Sequence, residues 1–291
     1  MGMQVAPHGD VVCDLGEGPL WDGRYGHLYW HDVTARRLHR TDAAGTVSQS
    51  WELAKMPGSF ALRDGGGLLA AFRNQLALFA PDTGKTEEIT GHGIDFGRER
   101  FNDGACDARG RFWAGTFDPS MKSATGCLYR IDPDLSVHRM DEGLAMSNGL
   151  AWSPDGATLY FADSRPGQVY RYAFDMERGT IGPREVFLDY AGRPGRPDGC
   201  TVDSEGFLWV AEVTAGRVSR YAPSGRADGA LELPVSKPTS VAFGGADLET
   251  LFITCMRYGL SEEDLAREPL AGRLLAVRVG VAGRPEPAFA G

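Results

Sequence analysis

The chain of 291 residues is short of several things that would narrow its chemistry at once. It has five cysteines, Cys13, Cys106, Cys127, Cys200 and Cys255, an odd number with no CxxC spacing. Reduced thiols in a cytosolic protein are therefore expected rather than a disulfide framework. Its six histidines are scattered, with no HxH and no HExxH, and most are read as surface or turn residues. No GxSxG is present, so no strained serine nucleophile is expected. No run of 18 apolar residues exists, which excludes a membrane-spanning helix. The N-terminal MGMQVAPHGDVV lacks a basic n-region and an apolar core, so no secretory signal is read there and a cytoplasmic location follows. Basic charge is scarce too: 30 Lys and Arg against 39 Asp and Glu give a net charge of -9. A chain of that sign argues against nucleic acid as a partner. Long amphipathic helices are missing, since SEEDLARE at 261–268 allows one or two turns at most.

What the chain has instead is glycine, 39 copies, and a repeat. Six short apolar runs share one plan: GHLYWHD, GGLLAAF, GRFWAGT, ATLYFAD, GFLWVAE and ETLFITC. Their anchors, Leu28, Leu69, Phe112, Leu159, Leu208 and Leu251, are spaced by 41, 43, 47, 49 and 43 residues. Each run is preceded by a strand-like piece across a Gly- or Asp-rich turn, as in a hairpin, and followed by another. A weaker polar strand often comes fourth. Six four-stranded antiparallel meanders predict an all-β, six-bladed β-propeller occupying residues 1–291 as one domain, because closing the ring removes exposed sheet edges. The last repeat is one strand short, and VVCDL at 11–15 is expected to supply it.

In such a fold the first strand of each blade lines the central channel. Counting back 10 or 11 residues from each anchor reaches Glu17, Ser59, Asn102, Asn148, Asp198 and Ser240. All are polar, and all stand where an inner strand begins. Asp-Gly or Asn-Gly in one place would be an ordinary turn dipeptide. Six polar residues in register are expected to converge at one mouth of the channel. Carboxylates gathered there repel unless a cation lies among them, and oxygen donors favour hard ions such as Ca²⁺, Mg²⁺ or Mn²⁺. The adjacent glycines are read as room for a ligand to come close.

LGEGPLW, RFNDGACDARGRFWAGT, SNGLAWSPD, RPDGCTVDSEGFLWVA and FGGADLETLFITCMRYGL together resemble the family of regucalcin (senescence marker protein), gluconolactonase and luciferin-regenerating enzyme. The resemblance runs from about residue 13 to the end of the chain. It implies a metal-dependent lactonase acting on sugar lactones, with one divalent ion, Ca²⁺, Zn²⁺, Mg²⁺, Mn²⁺ or Fe²⁺. The family's metal ligands fall on Glu17, Asn148 and Asp198, and Asp198 also takes the role of proton acceptor and donor. Its substrate-binding Arg and Asn fall on Arg100 and Asn102. A further acidic substrate contact has no clean match, and Asp118 or Ser120 of GTFDPSMKS is the nearest stand-in. A small sugar lactone is the expected partner, and the chain is expected to be a monomer or a weak homo-oligomer. The loops 117–125 and 256–271 are expected to wall the pocket. Two other readings stay open: a calcium- or protein-binding propeller without turnover, and a related metal-dependent phosphotriester or ester hydrolase.

Overall fold

The structure is a computed structural model that describes residues 4–291; the first three residues of the N-terminal stretch lie outside the described residues. Strand β1 (Ala6–Val12) comes first. The first complete sheet is β2 (Gly16–Asp22), β3 (His27–Asp32), β4 (Arg37–Asp42) and β5 (Val47–Glu52). The second is β6 (Pro57–Leu62), β7 (Leu68–Phe72), β8 (Gln75–Ala80) and β9 (Lys85–Ile89). The third is β10 (Arg100–Cys106), β11 (Phe112–Phe117), β12 (Gly126–Ile131) and β13 (Val137–Leu144). The fourth is β14 (Ser147–Trp152), β15 (Thr158–Asp163), β16 (Gln168–Asp175) and β18 (Glu185–Asp189), with the two-residue β17 (Thr180–Ile181) also on β16. The fifth is β19 (Arg196–Val202), β20 (Leu208–Val213), β21 (Arg217–Tyr221) and β22 (Ala227–Glu232). The sixth is β23 (Pro238–Gly244), β24 (Thr250–Cys255), β25 (Arg273–Arg278) and, as its fourth strand, β1. Six such sheets are the blades of the expected six-bladed β-propeller. The N-terminal strand does complete the last blade, but over Ala6–Val12 rather than 11–15. The one helix among the described residues, α1 (Glu262–Arg267), is short and closed by a capping box of Ser261 and Asp264.

Contacts gather the described residues into two units. The first holds the residues up to Ala54 with Tyr190–Glu286, hence the first, fifth and sixth blades. The second holds Lys55–Asp189 with Pro287–Gly291, hence the other three blades.

The hairpin between the first two strands of a blade has a clear local cause. In the third blade Asp107 accepts the N–H of Arg109 at 2.9 Å and the indole N–H of Trp113 at 2.9 Å. In the fifth, Asp203 accepts Glu205 N–H at 3.0 Å and Trp209 indole at 2.8 Å. One buried carboxylate thus ties the turn to the next strand, and the spacing Asp, Gly, Trp at three-residue steps is the same in both. Arg111 and Arg220 complete these sites with ion pairs of 2.7 Å, so neither buried charge is left alone. The cysteines Cys106 and Cys200 are buried core residues, and none of the five is bonded to another. Two histidines depart from the surface expectation: His31 and His39 are buried, and burial pushes His39 down to about 4.

The C-terminal tail has a role that no motif announced. Phe289 is fully buried in the apolar cluster of the second unit with Leu69, Phe101, Phe112 and Ile131. Its N–H donates to Leu62 O at 2.7 Å, its carbonyl accepts Asp64 N–H at 2.9 Å, and Ala290 N–H reaches Gly110 O at 3.0 Å. Removing a buried phenylalanine side chain typically costs about 3–5 kcal/mol. We expect Phe289→Ala to lose that much in urea unfolding with no change in slope, and Arg284→Ala, in a loop ahead of the tail, to lose far less.

Candidate functional site

All six polar positions lie at the same kind of irregularity. In every blade the inner strand carries one residue more than its partner near its start. Glu17 and Leu20 face His31 and Tyr29, so three steps on β2 match two on β3. The same surplus occurs between Pro57 and Ser59, Phe101 and Gly104, Asn148 and Leu150, Pro197 and Cys200, and Pro238 and Ser240. A β-bulge bends the strand and re-aims the side chains beside it. Each polar residue is therefore freed from the strict alternation that would otherwise send it into a sheet interface.

In the first unit Glu17 is half-buried, while Asp198 and Ser240 are buried. The approach to β2 is fixed by Asp32, whose carboxylate accepts the N–H groups of Asp14 at 2.7 Å and Leu15 at 3.3 Å. The glycine after Asp198 has a different use from the one expected. A Cβ on Gly199 would lie 2.1 Å from Ser240 Oγ, so its bare face admits the neighbouring strand rather than a ligand. At Gly18, φ is +55° and a Cβ would meet His31 Cε1 at 2.7 Å.

In the second unit Asn102 and Asn148 are joined. The Asn102 amide donates to Asn148 Oδ1 at 2.7 Å and to Ser147 O at 2.9 Å, and Asn148 Nδ2 donates to Ser164 Oγ at 2.7 Å. Asp163 repeats the role of Asp32, accepting Ala145 N–H at 2.9 Å and Met146 N–H at 2.7 Å. The Asn148 oxygen is thus held in one orientation with a lone pair to spare, as a metal ligand requires. Amide and carboxylate oxygens, the donor types of Asn148, Glu17 and Asp198, suit a hard divalent ion. Among the described residues no three His, Cys, Asp or Glu side chains gather into a metal cage.

Arg100 opens β10, and its guanidinium lies 4.1 Å from the centre of the Phe117 ring with Nη1 3.5 Å from Met56 Sδ. Asp118 and Ser120 are bonded to each other within their loop. The Asp118 carboxylate accepts the Ser120 hydroxyl at 2.7 Å and the N–H groups of Ser120 at 2.8 Å, Lys122 at 3.2 Å and Ser123 at 3.0 Å. These bonds hold its pKa below the usual carboxylate range and shape the loop 117–125. Glu99, one residue before Arg100, is buried and accepts the Tyr129 hydroxyl at 2.7 Å and that of Thr116.

Comparison with known proteins gives this arrangement relatives. Residues 15–257 match the family described as "SMP-30/Gluconolactonase/LRE-like region". The chain is 41% identical over 278 residues to a 6-deoxy-6-sulfogluconolactonase of Pseudomonas putida, covering 95% of each. It is 37% identical to a pentonolactonase of Haloferax volcanii, again over 95% of each. The crystal structure of a calcium-binding protein, regucalcin, from Agrobacterium tumefaciens superposes with a TM-score of 0.92 at 29% identity, covering 99% of this chain and 97% of that one.

One carboxyl escaped the sequence reading. Asp103 follows Asn102 inside the bulge of β10. It is half-buried by surface, yet desolvation lifts its pKa from 3.8 to about 6, against the pull of N–H groups from Gly104, at 2.8 Å, and Gly149. A carboxyl raised on folding holds its proton longer in the folded state, so its contribution to stability is present below 3.8 and lost as pH rises through about 6. In metal-free protein we expect Asp103→Asn to gain in melting temperature over the parent as pH goes from 4 to 8. A difference that stays flat across that window would contradict the assignment.

Proposed function

The chain belongs to the SMP-30/gluconolactonase/LRE-like family, and on that footing we propose that it is a lactonase hydrolysing sugar lactones to the corresponding sugar acids. The single observation that carries the reading is 41% identity over nearly the whole chain to a relative named as a sugar lactonase. In this proposal the whole chain acts as one domain, and Glu17, Asn148 and Asp198 hold one divalent cation. Such an ion, when bound, would supply Lewis acidity toward a carbonyl and acidify water. Asp198 takes the proton of the attacking water and returns it to the ring oxygen that leaves, so no serine or cysteine nucleophile is needed. Asn102 orients sugar hydroxyls while it braces Asn148, and Arg100 donates to the substrate from its seat on Phe117. Asp118 or Ser120, on the loop 117–125, supplies the further polar contact to the substrate. Its partner is a small sugar lactone, met in the cytoplasm by a monomer or weak homo-oligomer. Since the superposed regucalcin is described as a calcium-binding protein, ion binding without turnover is the second reading.

The test is a panel of gluconolactone and pentonolactones, followed by pH indicator, before and after chelation and with Ca²⁺, Mg²⁺, Mn²⁺ or Zn²⁺ restored. We expect hydrolysis that chelation abolishes and one of the ions restores. Asp198→Asn at saturating metal is expected to lose about 10²- to 10⁴-fold in kcat, the usual cost of removing a general base. Tight ion binding by calorimetry with no lactone opened would favour the second reading.

A further inference from the structure

Arg100 is in an unusual position for a guanidinium in this chain. Three other buried or part-buried arginines, Arg111, Arg130 and Arg220, each lie 2.7 Å from an aspartate. Arg100 has an aromatic ring, a thioether sulfur and, among the described residues, no carboxylate. Carboxylates are not in short supply, with 39 Asp and Glu in the chain. Glu99, its neighbour in the chain, is spent on Tyr129 and Thr116, and Asp118, next to Phe117, on its own loop. The ring satisfies the face of the guanidinium but leaves its planar fork of N–H donors with one weak sulfur contact.

A second cation is brought to the same place. Arg73 directly follows β7, whose last residue, Phe72, pairs with Pro57 at the start of the inner strand β6. Its N–H donates to Met56 O at 2.7 Å, and its carbonyl accepts Phe101 N–H at 3.2 Å. Met56 therefore meets Arg73 with its backbone and Arg100 with its sulfur. The Arg73 side chain is exposed, and no carboxylate pairs with it among the described residues. The two positive charges work against each other: burial first, then Arg73, lowers Arg100 to about 10, still protonated at neutral pH. A neutral sugar hydroxyl could use Arg100 alone. Two uncompensated guanidinium groups at one place gain only from an anion, which they can hold by charge-assisted, bidentate hydrogen bonds.

We propose that this end of the second unit recognises a negatively charged sulfonate or phosphate on the lactone substrate, with Arg100 and Arg73 as its two partners. The inference rests on the lactonase reading and narrows its substrate class. Arg73 is then a specificity residue: it attracts the substituent and takes no part in opening the ring.

The experiment compares gluconolactone with the same lactone bearing 6-phosphate or 6-sulfonate, for the parent, Arg73→Gln and Arg73→Ala. The parent is expected to favour the charged lactones by about tenfold or more in kcat/KM, mostly through KM, and to lose part of that preference at high salt. Both variants should shrink the charged-to-neutral ratio by about tenfold. Phosphate or sulfonate, whichever is preferred, identifies the group. A ratio near one in the parent, or one unchanged in the variants, overturns the proposal. Calorimetry with gluconate, 6-phosphogluconate and 6-sulfogluconate separates this from failure of the lactonase reading. Tighter binding of the charged acids, lost in Arg73→Gln, upholds the anion site even if no lactone is opened. Equal binding of all three overturns it.

Discussion

The bulge at the start of each inner strand is the constraint on which the site depends. A paired β-strand sends alternate side chains to opposite faces, so a regular inner strand has no freedom to choose where a polar residue points. One surplus residue breaks that alternation at Glu17, Ser59, Asn102, Asn148, Asp198 and Ser240, while the pairing resumes two or three residues later and carries the apolar pattern into the core. The cost is an extra residue left outside the ladder in each blade. Glycine next to the bulge lets the adjacent inner strand close over it, as Ser240 does over Gly199. The polar residues and the packing between blades are therefore two outcomes of one local geometry.

The charges inside the molecule divide into two kinds. Asp107, Asp203 and Glu212 are fully buried, and each is met by an arginine and by hydroxyl, indole or amide donors. These groups hold turns and strand ends in place, and their satisfied bonds leave nothing over for a ligand. Asp103 and Arg100 differ, because desolvation outweighs what their partners give back, in opposite directions for the acid and the base. Groups left in that condition are where binding of something else has most to gain.

Much of this was legible in the sequence, and the rest was hidden for physical reasons. The repeat of about 45 residues gave the blade count, since each copy must bury the same face against its neighbours. The same count reached the six polar positions without any structure. The bulges themselves leave no local mark, because an extra residue shows only when a strand is paired with its partner. Asp103, inside one of these bulges, is unmarked for the same reason. Arg73 could not be linked to Arg100 from spacing, as 26 residues of unrelated pattern lie between them. His31 and His39 are polar by type and buried by context, and Phe289 lies beyond the last recognisable strand. The misplaced bounds of β1 have a simpler cause: APHGDVV pairs as an edge strand through its backbone, with little apolar pattern to announce it.

That edge strand sets a schedule for synthesis. β1 leaves the ribosome well before the other strands of its blade; Arg273 and Gly9, which touch across the pair, are 264 residues apart in the chain. At a translation rate of roughly 5–20 residues per second, β1 waits for about 13 to 50 seconds before its partner exists. Phe289 imposes a similar delay on the second unit, whose core stays open until the tail arrives. A nascent strand held unpaired for that long is a target for edge-to-edge association. Pro7, Gly9 and Asp10, poor strand formers all, are what one would want in a segment that must stay soluble alone and pair only at the end.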